Sequence, residues 1–125
     1  MAAAYELRCR ECGKRYDNAP LSICDECFSP LEVAVDLDAA RKTVSRATIA
    51  AGPTSMWRYQ ALLPVPDDAV PQTPAGWTPL LRAARLAERI GSKNLWIKND
   101  VVCLPALRFK DRVVAVALEN ARRFG

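Results

Sequence analysis

The chain has 125 residues, 50% of them apolar and 26% charged, with a net charge of +4. That balance belongs to a globular protein, with room for one domain or for a small module joined to part of a larger one. No apolar run approaches the length of a membrane span, and the Ala2-Ala3-Ala4 start lacks a signal peptide's long apolar core, so no membrane is expected and the cytoplasm is the expected compartment.

The charge is not evenly spread. Residues 1–35 carry Arg8, Arg10, Lys14 and Arg15 against six acids, whereas residues 77–125 carry ten basic residues against four acidic ones. Such an excess fits an anionic small ligand or arginine-rich helix faces better than a nucleic-acid surface.

The first module expected is a zinc ribbon over residues 1–35. Cys9-Arg10-Glu11-Cys12 and Cys24-Asp25-Glu26-Cys27 are two Cys-x-x-Cys knuckles, separated by eleven residues that include the turn Asp17-Asn18-Ala19-Pro20. Each knuckle delivers two thiolates from one tight loop, and tetrahedral zinc takes four. Two disulfides or a redox pair are the alternatives. The first needs an oxidising compartment, and the second needs a strand-helix context that neither knuckle has. Cys103 has no such partner in sequence and is expected outside the site. Because the module is net acidic before its thiolates are counted, phosphate backbones are not expected to bind it.

Residues 36–76 read as a helix and a proline-rich connector. Asp36-Leu37-Asp38 opens a helical stretch that Gly52-Pro53 ends. Trp57-Arg58-Tyr59 follows, its aromatics expected to anchor packing. Pro64, Pro66, Pro71 and Pro74, with Asp67-Asp68, make the connector.

Residues 77–125 start a second module. Thr78 suits a helix N-cap and Pro79 the first helical position, with Leu80, Ala83, Ala87 and Ile90 on one face and Gly91 as the stop. Asn94 to Lys98 reads as a strand. A helix then starts at Lys110, with Val114, Ala117, Leu118 and Ala121 on one face, expected to be left partly bare where the rest of the sheet is missing. A lysine at a helix N-terminus sits among unpaired N–H groups, where its charged form is disfavoured and attack on a carbonyl to form a Schiff base is favoured; a solvated first-turn lysine is the plain alternative.

The wording around that lysine is more specific. Phe109-Lys110-Asp111-Arg112, with Pro105 upstream and Val113-Val114-Ala115-Val116-Ala117-Leu118 behind, resembles the Pro-Thr-x-Ser-Phe-Lys-Asp-Arg segment of threonine synthases. These are pyridoxal-phosphate enzymes of the tryptophan-synthase-β-like family. The ribbon, Trp57-Arg58-Tyr59 and Thr78-Pro79-Leu80 are similar as well. The resemblance implies an α/β chain: a zinc ribbon held by Cys9, Cys12, Cys24 and Cys27, then the first helix-strand-helix part of a fold-type-II enzyme, with Lys110 carrying pyridoxal phosphate. It implies conversion of O-phosphohomoserine and water to threonine and phosphate. Two positions depart from the segment, Ala106 standing for Thr and Arg108 for Ser. The family's proteins are roughly three times longer, and the five glycines here are scattered rather than gathered into a phosphate cradle. A fragment, split piece or degenerate relative, inactive alone and open to completion by a second polypeptide, is therefore expected. The other readings are a stand-alone zinc-ribbon protein that binds or regulates, and a related enzyme such as cysteate synthase or threonine deaminase.

Overall fold

A computed structural model describes residues 5–66 and 68–125; the Ala2-Ala3-Ala4 start and Asp67 of the connector lie outside them. The fold is mixed α/β. Strands β1 (Tyr5–Cys9), β2 (Arg15–Tyr16) and β3 (Leu31–Val35) form an antiparallel sheet in the order β2-β1-β3. Tyr5 lies opposite Val35 and Cys9 opposite Leu31. This register turns Leu7 and Cys9 to the buried face and puts Glu6 and Arg8 on the other, where Arg8 pairs with Glu32 at 2.6 Å and Arg15 with Glu6 at 2.7 Å. Both pairs are exposed, so they fix register more than they add stability.

The helical stretch after the sheet is two helices rather than one. In α1 (Leu37–Arg41), the Asp36 carboxylate accepts the N–H groups of Asp38 and Ala39 at 3.0 and 2.9 Å. In α2 (Arg46–Ala51), Ser45 and Thr48 cap each other reciprocally, and Gly52 closes the end. A second strong N-cap in mid-stretch restarts the helix between the Asp36 opening and the Gly52 stop.

A 3₁₀ turn, Met56–Leu62, then buries Trp57, whose indole N–H donates to the Thr73 carbonyl at 2.8 Å. Trp57, Val65, Ala75 and Ala115 form the core outside the first sheet. The expected role of Trp57 as a packing anchor agrees with this; Tyr59 remains exposed.

The last third runs strand-helix-strand-helix instead of helix-strand-helix. Strand β4 (Leu80–Arg82) pairs antiparallel with β5 (Trp96–Lys98), Leu80 opposite Lys98. Helix α3 (Ala84–Arg89) starts only after β4 and ends, as expected, at Gly91 with φ +69°. Thr78 caps no helix, because its hydroxyl is bonded to Asp100 and Lys98. The Pro79 carbonyl accepts the Asn99 N–H at 2.9 Å, extending the ladder.

Helix α4 (Asp111–Phe124) closes the chain with a different face inward than its apolar pattern suggests. Asp111, Ala115 and Glu119 are buried, while Val114 and Leu118 of the apolar face are 51% and 43% exposed, in line with a face left partly bare. Glu119 is satisfied by Arg122 at 2.9 Å. Small Ala115 lets the helix approach Trp57 and Val65 closely. Among the described residues, no helix is long and apolar enough to cross a membrane.

Candidate functional site

Two places in the fold carry chemistry. The first is the cysteine cluster. The Sγ atoms of Cys9, Cys12, Cys24 and Cys27 all lie within 4.8 Å of one another, Cys9 to Cys27 at 3.3 Å and Cys12 to Cys24 at 3.7 Å. Four thiolates around zinc, each about 2.3 Å from the metal, stand about 3.8 Å apart, so donor type, number and span all fit a tetrahedral zinc ion. Cys103 is buried elsewhere, as expected, and takes the Gly76 N–H on its sulfur at 3.4 Å.

Each knuckle is a closed backbone loop. Cys9 N–H donates to the Lys14 carbonyl at 2.8 Å and Gly13 N–H to the Cys9 carbonyl at 3.1 Å. The second loop repeats this, Cys24 N–H to Ser29 at 2.9 Å and Phe28 N–H to Cys24 at 3.1 Å. Gly13 and Phe28 occupy equivalent positions, with φ of +76° and +56°. Glycine takes that conformation freely; phenylalanine does not. Phe28 is 80% exposed, so little packing is lost with its ring. The substitution Phe28→Gly is expected to stabilise the knuckle by about 0.5–1 kcal/mol, relief of the left-handed strain outweighing the chain entropy glycine adds. Competition with a zinc chelator measures it, and an unchanged or weaker hold on the metal would refute it.

Side chains around the cluster tune it. The Tyr16 hydroxyl donates to Cys24 Sγ at 3.0 Å and also pairs closely with the Asp25 carboxylate, which Lys14 holds at 2.9 Å together with Glu26. Through the Tyr16 bond first, and then the Cys27 and Glu26 N–H groups, the Cys24 thiol is brought down to about 6. Cys27 is also lowered, chiefly by the N–H and hydroxyl of Ser29. At Cys12 the Lys14 backbone favours the thiolate, yet the bond with Cys9, burial and the other two sulfurs push the thiol up to about 12. Four negative sulfurs this close repel one another, and a divalent cation is what lets all four be thiolates together.

The second place surrounds Lys110. This residue is the N-cap of α4, with φ −63° and ψ −20°, and its side chain is exposed and makes no capping hydrogen bond. It opens onto a groove of about 490 Å³ shared with Ile97, Lys98, Asn99, Asp100, Val101 and Leu107 to Phe109. Arg108 lines the same groove; Ala106 does not. Three cations against one carboxylate make the groove electropositive. Next to Lys110, the buried Asp111 carboxylate accepts the N–H groups of Ala106 and Arg108 at 3.0 and 3.1 Å. That bond pair folds the loop back onto the helix start.

Beneath the groove lies a network that the sequence reading did not assemble. Arg112 donates to both Asp100 oxygens, at 2.8 and 2.9 Å, and to the Thr78 hydroxyl at 3.0 Å. Thr78 in turn donates to Asp100 at 2.6 Å and accepts from Lys98 at 2.6 Å. Arg112 first, then Thr78, holds the Asp100 carboxyl below the usual carboxylate range. The signal available in sequence was the pairing of opposite charges at Asp100 and Arg112; nothing local pointed to Thr78.

Comparison with known proteins now bears on both places. The chain is 34% identical over 119 residues to a threonine synthase of Methanocaldococcus jannaschii, covering 94% of this chain and 29% of that enzyme. To the threonine synthase of Methanosarcina acetivorans it is 34% identical over 122 residues, covering 97% of this chain and again 29% of the enzyme. No family model and no solved structure matches. The resemblance read from the Lys110 segment thus extends over nearly the whole chain, and the chain spans less than a third of the length of the curated relatives it matches.

Proposed function

We propose that the chain is the zinc-bearing, lysine-bearing portion of a threonine-synthase-type enzyme and works only together with the remainder of the catalytic body. The likeness to threonine synthases across 94–97% of the chain carries this reading. The gathered cysteines and the cationic groove at Lys110 support it. The modules assigned are residues 1–35 for the ribbon, 36–76 for the connector and 77–125 for the start of the catalytic domain.

In this reading Cys9, Cys12, Cys24 and Cys27 hold zinc in a closed four-sulfur shell. Such a shell leaves no open position for a reactant, so the metal's part is structural. Lys110 would hold pyridoxal phosphate through Nζ. The cofactor, when bound, supplies an electron sink for negative charge developing on a substrate carbon. The chain's own contribution is placement and charge. Lys110 Nζ would also carry protons to and from the substrate. Lys98, on the same groove, adds positive charge that favours an anionic substrate such as O-phosphohomoserine. Asp111 keeps the loop closed behind the lysine.

The test compares the chain alone with the chain co-expressed with the unmatched remainder of the M. jannaschii enzyme. Alone, incubated with pyridoxal phosphate and reduced with borohydride, it is expected to label Lys14, Lys42, Lys93, Lys98 and Lys110 indiscriminately and to release no phosphate from O-phosphohomoserine. In the pair, Lys110 should be labelled above the other lysines. The double change Ala106→Thr and Arg108→Ser should raise turnover there, by returning two hydroxyls to the loop. Selective labelling with turnover by the chain alone would overturn the need for a second part. Labelling of another lysine in the pair would overturn the role of Lys110.

A further inference from the structure

Lys110 owes its place to its neighbours. Its own side chain is exposed and forms no capping bond, so the backbone on either side decides where the amine emerges. Asp111 cannot settle that alone. Both N–H groups it accepts belong to the loop just before it, so loop and first turn remain free to shift as one piece. The far part of α4 is fixed independently. Ala115 shares the core with Trp57, and Asn120 donates to the Pro64 carbonyl at 2.6 Å. Between these two anchors stands Arg112, whose bonds cross to Asp100 and to Thr78, 34 positions earlier.

We infer that Arg112 is the positioning residue for Lys110: forked onto Asp100 and Thr78, its guanidinium ties the first turn of α4 to the segments that flank the paired strands β4 and β5 and sets where the amine meets the groove. The inference rests on the reading of Lys110 as the cofactor lysine. The chemistry demands arginine. Two nitrogens of one rigid fork satisfy three acceptor contacts, which a single ammonium cannot reproduce, so the fork fixes direction as well as distance. Lys98 completes the arrangement from β5 by donating to the hydroxyl and carbonyl of Thr78. The network therefore gathers the segment leading into β4, the end of β5, the turn after it and the helix start.

Hydrogen exchange on the full chain is the first arm of the test, comparing the parent with Arg112→Lys and Arg112→Met. Amides of Asp111 to Val114 are expected to exchange at least tenfold faster in both variants. Those of β1, β3 and Glu119 to Phe124 should be unchanged. If Arg112→Met fails to fold, Arg112→Lys carries the comparison, since it keeps the charge and loses only the fork. Exchange within twofold of the parent would overturn the inference. The second arm is borohydride-fixed labelling by pyridoxal phosphate in the completed pair, where Arg112→Lys should slow attachment at Lys110 at least fivefold. Attachment at Lys110 with an unchanged rate would overturn the role of Arg112 while leaving that of Lys110 intact. Attachment to a different lysine in the parent pair would overturn both.

Discussion

Chelating the metal at neutral pH is expected to unfold Tyr5–Val35 while α4 keeps its helix. Structural zinc contributes on the order of 10–16 kcal/mol in small thiolate sites, and nothing else in this sheet approaches that sum. Its strands are five, two and five residues long, and its salt bridges are exposed. Of the four clustered cysteines, only Cys9 and Cys24 are buried, and a module this small cannot gather a core of its own. Cys24→Ser should act like chelation, because it removes the sulfur to which Tyr16 and Glu26 both donate. Elemental analysis with amide exchange across β1 to β3 is the check. Far less than one zinc per chain, with the thiols found in disulfides, would end the metal reading; full protection after chelation would end the structural one.

The second large effect is expected at Trp57. Replacing it by alanine removes the biggest side chain from a core otherwise made of Val65, Ala75 and Ala115. It also leaves the Thr73 carbonyl without its indole partner. Deletions of this kind cost about 3–5 kcal/mol, much of what a small body has in reserve. Trp57→Ala should therefore melt the helical far-ultraviolet signal well below the parent's midpoint while zinc stays bound. Trp57→Phe, which keeps most of the ring, should cost less. Equal midpoints for Trp57→Ala and the parent would show that this cluster is not what holds α4.

What the sequence disclosed and what it hid follow from the range of each interaction. The ribbon was legible because Cys-x-x-Cys spacing and Gly13 dictate a loop within a few residues. Gly91 marked the end of α3, and the Lys110 segment marked a helix start, for the same local reason. Thr78-Pro79 misled because a Thr-Pro pair suits a helix entry and an extended strand alike. Only Trp96 to Lys98, far along the chain, decides for the strand. The inward face of α4 was hidden differently. Hydrophobicity favoured Val114 and Leu118, but Asp111 and Glu119 face inward, each bonded locally, around an alanine small enough for close contact. Arg112 lay in plain sight within the recognised segment. Its partners, 12 and 34 positions earlier, are brought to it only by the fold.

One contact also sets an order of events during synthesis. The Tyr5 hydroxyl accepts from Asn18 at 2.5 Å and donates to Asn120 at 3.1 Å, a residue 115 positions later. At ribosomal speeds of about 5–20 residues per second, Asn120 is added roughly 6–23 s after Tyr5. The four sulfurs, by contrast, all lie between positions 9 and 27 and leave the exit tunnel together. For those seconds the sheet has no helix to lean on, so under the proposed zinc reading the nascent chain needs the ion early. On that reading, a cell short of zinc would meet its first failure on the ribosome, before α4 has been made.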